Sequence, residues 1–169
     1  MMAAKLVSTM ATCPRLRVGA VVVKNRRIIA SGFNGAPPGQ PHCTEVGCLK
    51  FEDEGSSCKR VIHAEHNAIL QDSTNARGGT LYTVYIPCID CMKTIVSSGI
   101  SEVVYEVDAD HKSRYMAAKD LAGTSGIMLR QIPEVKILDV LGNYYGGQDK
   151  VQQAKYANEE DKGEVYLEF

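Results

Sequence analysis

The sequence of 169 residues lacks an excess of charge of either sign, because 19 Lys and Arg stand against 20 Asp and Glu. It therefore has no general positive field of the kind that holds polymeric nucleic acid. It also lacks any run of about 18 apolar residues, which excludes a transmembrane helix. Residues 1–15 lack a positively charged stretch followed by an apolar one, so no secretory signal is expected.

Internal repeats, low-complexity tracts and signs of a second domain are missing as well. With 44% hydrophobic residues, the chain is typical of one globular domain over residues 1–169 and not of a disordered chain. What the sequence does contain is six cysteines, at positions 13, 43, 48, 58, 88 and 91. In the reducing cytoplasm, the location expected without a signal, such thiols are more often metal ligands than disulfides.

The first third of the chain predicts a helix, a hairpin and a long loop. Apolar residues have helical spacing over residues 2–12, and Cys13-Pro14 ends that pattern. Two apolar runs, 18–23 and 28–33, flank a short polar stretch and predict an antiparallel hairpin. Residues 34–59 hold many glycines and prolines together with three of the cysteines. A loop of this length inside a compact domain is usually functional or pinned.

From His63 onward helical and strand patterns alternate, which indicates βαβ units and a partly parallel sheet with helices on its faces. Helices are expected at 63–71, 88–98 and 113–121, and strands at 80–86, 102–107, 127–132 and 136–141. Apolar density falls after Gly142, and residues 158–163 form a charged stretch. Residues 142–169 are therefore interpreted as a C-terminal extension without an assigned role.

Two motifs at predicted helix starts carry the chemistry, His63-Ala64-Glu65 and Pro87-Cys88-Ile89-Asp90-Cys91. Cys88 and Cys91 are three residues apart, so their sulfurs can reach one cation from a first helical turn, whose partial positive charge favours thiolates. With the His63 imidazole they form three donors that suit Zn²⁺ with one coordination position open to water. Glu65, on the same turn as His63, is then a proton shuttle and not a ligand.

Each motif alone has a plainer explanation. A lone Cys-x-x-Cys also fits a redox-active pair, and a lone histidine before a helix is more often a capped surface residue. A His-x-Glu motif followed by Pro-Cys-x-x-Cys is, however, the signature of zinc-dependent nucleobase deaminases. The two motifs occur here in that order, each at a helix start, which favours the deaminase interpretation.

Four segments, 18–21, 32–37, 62–69 and 87–91, resemble the deoxycytidylate (dCMP) deaminases of the cytidine deaminase superfamily, in particular the allosteric bacterial and phage type. The resemblance runs over about residues 3–132. It implies an α/β, three-layer fold with a central mixed five-stranded sheet and helices on both faces. It also implies hydrolysis of dCMP to dUMP and ammonia by a zinc-bound hydroxide, with Glu65 as general acid and base. The implied zinc ligands are His63, Cys88 and Cys91. The implied substrate contacts are Asn34, Ala64, Glu65 and Pro87.

The other four cysteines precede the catalytic pair. Some members of this family carry a second, structural zinc here, and Cys13 and Cys43 match ligand positions of such members by their offsets from the 18–19 and 34–35 motifs. Cys48 and Cys58 complete the set by proximity and count, with His42 as the substitute for one cysteine. A zinc site with four protein ligands would stabilise this loop, which has no apolar core of its own. The alternatives are free thiols and, with less support, disulfides.

The zinc motifs fit several deaminases, so the substrate class depends on other residues. tRNA adenosine deaminases usually carry Glu where Ile86 stands, whereas the loop over 32–35 and Asn67 fit the nucleotide family better. Val84 and Phe33 depart from the usual Thr and Tyr of that family, which removes two hydroxyls. The candidates for a phosphate contact are Lys112, Arg114, Lys59 and Arg60. For each of them alone, ordinary surface charge is the plainer interpretation.

The resemblance further implies activation by dCTP, inhibition by dTTP, Mg²⁺ bound with the triphosphate, a homohexamer, and supply of dUMP for thymidylate synthesis. The allosteric nucleotide is expected to approach the backbone at Gly32, Asn34 and Gly35. Two alternatives stay open. One is a zinc deaminase for cytidine, a free base or tRNA adenosine, and the other is a non-catalytic metal-binding module. A three-ligand site with an open position argues against the second. Neither a membrane nor polymeric nucleic acid is an expected partner.

Overall fold

The computed structural model describes residues 1–49, 58–108 and 113–142. Its helices are α1 (Met2–Ser8), α2 (Cys43–Val46), α3 (Ala64–Gln71), α4 (Ser73–Ala76), α5 (Ile89–Ser98) and α6 (Ser113–Thr124). Its strands are β1 (Gly19–Lys24), β2 (Arg27–Phe33), β3 (Thr80–Tyr85), β4 (Glu102–Val107) and β5 (Met128–Gln131). The pattern-based predictions locate most of these elements, while the short helices α2 and α4 were not predicted.

The five strands form one sheet in the order β2-β1-β3-β4-β5. Strand β1 pairs antiparallel with both β2 and β3, whereas β3–β4 and β4–β5 are parallel pairs. The parallel pairs are connected through α5 and α6, because parallel neighbours need a crossover. The predicted α/β fold with a mixed five-stranded sheet is confirmed.

The hairpin between β1 and β2 turns through Asn25 and Arg26, which have φ angles of 51° and 63°. Two consecutive positive φ angles in a two-residue loop match the right-handed twist of the flanking strands. Lys24 then pairs directly with Arg27. The predicted antiparallel hairpin is confirmed.

The two faces of the sheet pack against different helices. Ala20, Val22, Leu81 and Val103 join side chains of α3, α5 and α6 in the main hydrophobic core. Alternate residues point the other way, and on that face α1 packs against β1, β2 and β3. There the Lys5 Nζ atom lies 2.8 Å from a carboxylate oxygen of Glu106, whose side chain is 1% exposed. The fold therefore has helices on both faces.

Gly32 allows α3 to pack directly against strand β2. A Cβ atom at this position would overlap the backbone of α3 at Ala64 and Ala68. Asn67 secures the same contact, because its side-chain amide donates a hydrogen bond to the backbone carbonyl of Phe33 at 2.7 Å. The first turn of α3, which carries His63 and Glu65, is thereby fixed against the end of β2.

The chain divides into two compact units, Met1–Glu134 and Val135–Phe169. The strand expected at 136–141 is wrong, since residues 137–142 are helical and the Val140 N–H bonds the carbonyl of Lys136 at 3.2 Å. A short apolar run does not distinguish strand from helix by its periodicity, which accounts for the error. The charged stretch at 158–163 lies outside the described residues, and a single domain over 1–169 stays a prediction. Within the described ranges no helix has the length and hydropathy needed to cross a membrane.

Candidate active site and metal centre

Two helix starts place the residues of the two sequence motifs. His63 is the N-cap of α3, and its carbonyl accepts the N–H of Asn67 at 3.0 Å. Cys88 is the N-cap of α5, and its carbonyl accepts the N–H of Met92 at 2.8 Å. Cys91 lies in the first turn of α5. An N-cap residue has extended backbone angles, so its side chain is free to lie over the helix end.

The structure brings His63, Cys88 and Cys91 together. One donor atom from each lies within 4.8 Å of the other two. The His63 Nδ1 atom is 3.2 Å from Cys91 Sγ and 3.5 Å from Cys88 Sγ. In a tetrahedral zinc site with Zn–N and Zn–S bonds of ordinary length, nitrogen and sulfur lie about 3.6 Å apart. The three donors therefore fit Zn²⁺, and their role as ligands stays a prediction.

The three side chains shift one another's pKa even without a bound metal. A hydrogen bond from Cys91, aided by His63, lowers the pKa of Cys88 to about 2. The hydrogen bonds with Cys88 have the opposite effect on its two partners. They raise the pKa of both Cys91 and His63. The thiolate form of Cys88 is thus favoured. A thiolate is the form of cysteine that binds a metal ion.

Glu65 lies two residues after His63, in the first turn of α3, and is 4% exposed. Burial raises the pKa of its carboxyl group, while the nearby His63 opposes that shift. Glu65 does not belong to the group of three metal donors. A buried carboxylate with a raised pKa holds a proton more readily than an exposed one, which suits it to proton exchange beside such a group.

A cavity of about 360 Å³ opens onto this group. Among the predicted substrate contacts, Asn34, Ala64 and Glu65 line the cavity, and Pro87 does not. Among the predicted phosphate contacts, Arg114 lines it, while Lys59 and Arg60 do not. Lys112 lies outside the described residues.

Arg114 connects the cavity to the metal donors. Burial lowers the pKa of its guanidinium, but the charge of the nearby Cys88 outweighs this effect, and the pKa is raised. The same group lies 3.8 Å from a carboxylate oxygen of Asp90. Arg114 therefore supplies a positive charge at the cavity wall beside Cys88.

The side chain of Asn34 fixes the part of the cavity wall formed by Leu16 and Val18. Its Oδ1 atom accepts the N–H of Val18 at 2.7 Å, and its Nδ2 atom donates to the carbonyl of Leu16 at 2.8 Å. One N–H of the amide is left for a ligand. The neighbouring Gly35 exchanges two backbone hydrogen bonds with Ile62, at 3.2 and 2.9 Å, and so joins this loop to the start of α3. A nucleotide contact at Gly32, Asn34 or Gly35 stays a prediction.

Three of the loop cysteines form a second group of possible metal donors. The sulfurs of Cys43, Cys48 and Cys58 lie within 4.8 Å of one another, and those of Cys43 and Cys58 are 3.7 Å apart. Thiolates in a tetrahedral zinc site lie about 3.8 Å apart. Burial raises the pKa of Cys43 to about 11. For Cys58 burial acts in the same direction, but the backbone N–H of Arg60 and other hydrogen bonds outweigh it and lower the pKa.

The fourth member of the predicted set is less close. Cys13 is buried and its charge acts on Cys43, yet it is outside the group of three. The Nδ1 atom of His42, the predicted substitute, is buried and has no hydrogen-bond partner. Cys13 and Cys58 both line the 360 Å³ cavity, so the second cysteine group borders the first site.

Several cavity residues were not predicted from the sequence. Arg15 and Tyr85 line the cavity, and so does Tyr115, whose pKa is raised by burial. Arg15 follows Cys13-Pro14 and precedes β1 by a few residues. Its closeness in the chain to the predicted ligand Cys13 is the sequence feature that could have indicated its place in the cavity. The two tyrosines carry no motif that separates them from ordinary core residues.

Comparisons with known proteins agree with this geometry. Residues 1–107 match the family model of the cytidine and deoxycytidylate deaminase zinc-binding region. ComE operon protein 2 of Bacillus subtilis is 40% identical over 130 residues, which are 75% of this chain and 66% of that protein. Deoxycytidylate deaminase of Schizosaccharomyces pombe is 35% identical over 135 residues, 76% of this chain and 41% of that protein. The chain thus spans less than two thirds of the length of these two relatives.

A solved structure extends the comparison to the fold. The dCMP deaminase of cyanophage S-TIM5, determined in complex with dCMP and dUMP, is 33% identical and superposes with a TM-score of 0.64. The match covers 78% of this chain and 92% of the phage chain. The family model covers more than half of the chain and includes both predicted zinc motifs. This protein belongs to the cytidine and deoxycytidylate deaminase family.

Proposed function

We propose that this protein hydrolyses dCMP to dUMP and ammonia. The observation that carries the proposal is the joint placement of three metal donors and the buried Glu65 at one cavity. The substrate is chosen because several relatives are named deoxycytidylate deaminase and because the cyanophage enzyme was solved with dCMP and dUMP. The protein is on this proposal a zinc-dependent hydrolase.

His63, Cys88 and Cys91 hold the catalytic zinc in this proposal. Their spacing, which lies close to that of a tetrahedral site, supports it, as does the low pKa of Cys88. Three protein ligands leave the fourth position open, as in catalytic zinc sites. When bound, the metal supplies a water whose pKa is lowered toward neutrality and which can attack an electrophilic carbon.

Glu65 moves the protons of the reaction. It accepts the proton of the attacking water and delivers it to N3 of cytosine, which makes C4 more electrophilic. After the hydroxide has added to C4, Glu65 takes the proton of the new C4 hydroxyl and passes it to the amino group, which leaves as ammonia while the C4 carbonyl forms. Its burial supports this role, because a raised pKa makes this carboxylate a better proton acceptor than an exposed one.

The substrate phosphate is held by Arg114 and Arg15. Both line the cavity, and neither belongs to the group of metal donors. Guanidinium groups bind phosphate oxygens in a bidentate manner and are the usual choice for that anion. Asn34 orients the cavity wall through Leu16 and Val18 and offers its remaining N–H to the nucleoside.

Cys43, Cys48 and Cys58 hold a second, structural zinc, with Cys13 as the fourth ligand and His42 as its substitute. The 3.7 Å separation of two sulfurs and the N–H bonds donated to Cys58 support this set. Such a site stabilises the loop between β2 and α3 in place of an apolar core. Comparing the zinc content of Cys13→Ser with that of His42→Ala identifies the fourth ligand.

The family resemblance also supports regulation by dCTP as activator and dTTP as inhibitor, with Mg²⁺ bound alongside the triphosphate. It further supports a homohexamer, a cytoplasmic location and a supply of dUMP for thymidylate synthesis. Rate curves for dCMP measured with and without each triphosphate test the regulation. Unchanged curves would remove it and leave the deaminase reaction in place.

A substrate panel tests the proposed specificity. The zinc-loaded protein is expected to act on dCMP in preference to deoxycytidine, cytidine and an RNA that contains adenosine. A higher kcat/KM for deoxycytidine than for dCMP would contradict the nucleotide assignment. Conversion of adenosine to inosine within the RNA, with release of ammonia, would instead favour a tRNA adenosine deaminase.

A further inference from the structure

The first turn of α3 is held from two sides by adjacent residues. Asn67 bonds the carbonyl of Phe33 at the end of β2. His66 faces the other direction and reaches the first turns of α5. The two residues thus connect the segment that carries His63 and Glu65 to both of its neighbours.

His66 contacts α5 with one ring nitrogen. Its Nε2 atom lies 3.0 Å from the hydroxyl oxygen of Thr94 and 3.3 Å from the backbone carbonyl oxygen of Asp90. If Nε2 carries the proton, it donates to the Asp90 carbonyl, and if it does not, it accepts from the Thr94 hydroxyl. Either tautomer therefore ties α3 to α5.

The location of this link relates it to the metal donors. Asp90 stands between Cys88 and Cys91 in the chain, so the carbonyl that His66 contacts belongs to the same helical turn as both cysteines. The rings of His66 and His63 lie side by side, with centroids 6.3 Å apart and planes inclined by 24°. His66 consequently lies beside His63 and contacts the helical turn that carries both cysteines, without being a member of the group.

The spacing of the donors depends on the separation of the two helices. His63 comes from α3, whereas Cys88 and Cys91 come from α5, and 25 positions separate His63 from Cys88. A zinc site requires its ligand distances to within about 0.2 Å. Residues outside the ligand set that orient the ligands typically contribute 10- to 100-fold to metal affinity.

We propose that His66 is a positioning residue that fixes His63 relative to Cys88 and Cys91 by joining α3 to α5. It contacts the segments that carry the ligands and acts through them, and it takes no part in proton transfer. The inference rests on the proposed zinc site, and it adds a residue to that site that neither motif contains.

The test compares four variants in the zinc-loaded protein. His66→Ala and Thr94→Val remove the two ends of the link, and His66→Gln keeps a nitrogen at the position of Nε2. Ser97→Ala is the matched control, because the Ser97 hydroxyl also bonds a carbonyl of α5, that of Lys93, on the exposed side. Zinc affinity is measured by competition with a chelating dye. Zinc at the catalytic site is identified as the part of the measured zinc binding that is lost in Cys88→Ser.

His66→Ala is expected to weaken zinc binding at the catalytic site by about 10- to 100-fold, and Thr94→Val to weaken it in the same direction. His66→Gln should recover most of the affinity, and Ser97→Ala should resemble the unmodified protein. In cobalt-substituted protein, His66→Ala should also shift the ligand-field bands. With dCMP, kcat should fall while KM changes less than about twofold, since His66 does not line the cavity proposed to bind the substrate.

Catalytic-site affinity in His66→Ala equal to that of Ser97→Ala would overturn the proposal. An equal loss of affinity at both zinc sites, in proportion to a lowered stability toward urea, would overturn it too, because the effect would then be general. The metal measurements need no substrate. A protein that fails to convert dCMP but shows the expected zinc affinities would therefore contradict the proposed function and leave the role of His66 intact.

Discussion

The Nδ1 atom of His63 lies 3.2 Å from the Sγ atom of Cys91, although 28 positions separate the two residues in the chain. The contact exists because α3 and α5 begin at the same end of the sheet core, each with a motif residue as its N-cap. Gly32 and Asn67 hold one of these helix starts against β2. The metal donors are thus a product of how two helix starts are packed.

Glu65→Gln should keep the catalytic zinc and lose turnover. The amide has the size of the carboxyl group but cannot accept a proton from water, so kcat should fall by about 100-fold or more. Product formation from dCMP and zinc content are measured on the same samples. Glu134→Gln, at a side chain that is 69% exposed, serves as control. Retention of more than a few per cent of kcat would contradict the proposed proton shuttle.

Zinc analysis distinguishes the two cysteine groups. The full chain should bind about two zinc ions, because each group offers enough donors for one. Cys88→Ser should lose one ion together with activity, and Cys43→Ser should lose the other and lower the stability of the fold. One ion in the unmodified protein, unaffected by Cys43→Ser, would show that the loop cysteines are free thiols.

Arg15→Ala should lower kcat/KM for dCMP by roughly 10- to 100-fold, the effect of losing one charged hydrogen bond to phosphate. The kcat/KM for deoxycytidine, which has no phosphate, should stay nearly unchanged. Arg114→Ala should reduce both values, since the charge of its guanidinium also acts on Cys88, a predicted zinc ligand at the same cavity. Arg27→Ala on strand β2 is the control at an exposed position. An equal loss for both substrates in Arg15→Ala would remove the proposed phosphate contact.

Gly32→Ala should destabilise the fold, because the added methyl group overlaps the backbone of α3. Overpacking of this kind costs typically about 1–3 kcal/mol. Gly123→Ala is the matched substitution, as a Cβ there meets nothing within 4 Å and α6 continues through it. Its free energy of unfolding should stay the same or rise by up to about 1 kcal/mol. Urea denaturation measures both, and equal values would contradict the close packing of β2 and α3.

Local patterns predicted those parts of the fold that local chemistry determines. The apolar runs predicted the strands β1, β3 and β4. The two motifs predicted the starts of α3 and α5, because the predicted metal donors His63 and Cys88 are also the N-cap residues of these helices. The helical state of 137–142 was missed, since a short apolar run fits helix and strand equally well.

The cavity wall could not be predicted in the same way. Arg15 and Tyr115 lie 100 positions apart in the chain. They line the same cavity because the tertiary fold brings their segments together. The internal bonds of Asn34 to Leu16 and Val18 likewise depend on tertiary packing. The substitute role of His42 and the membership of Cys13 in the second site stay predictions.

Quantification of dUMP and ammonia after incubation of zinc-loaded protein with dCMP, with and without dCTP and Mg²⁺, tests the central claim most directly. We expect dUMP and ammonia to form in equal amounts and Glu65→Gln to abolish the formation of both. Absence of dUMP both with and without dCTP, from protein that demonstrably holds zinc at His63, Cys88 and Cys91, would contradict the deaminase assignment.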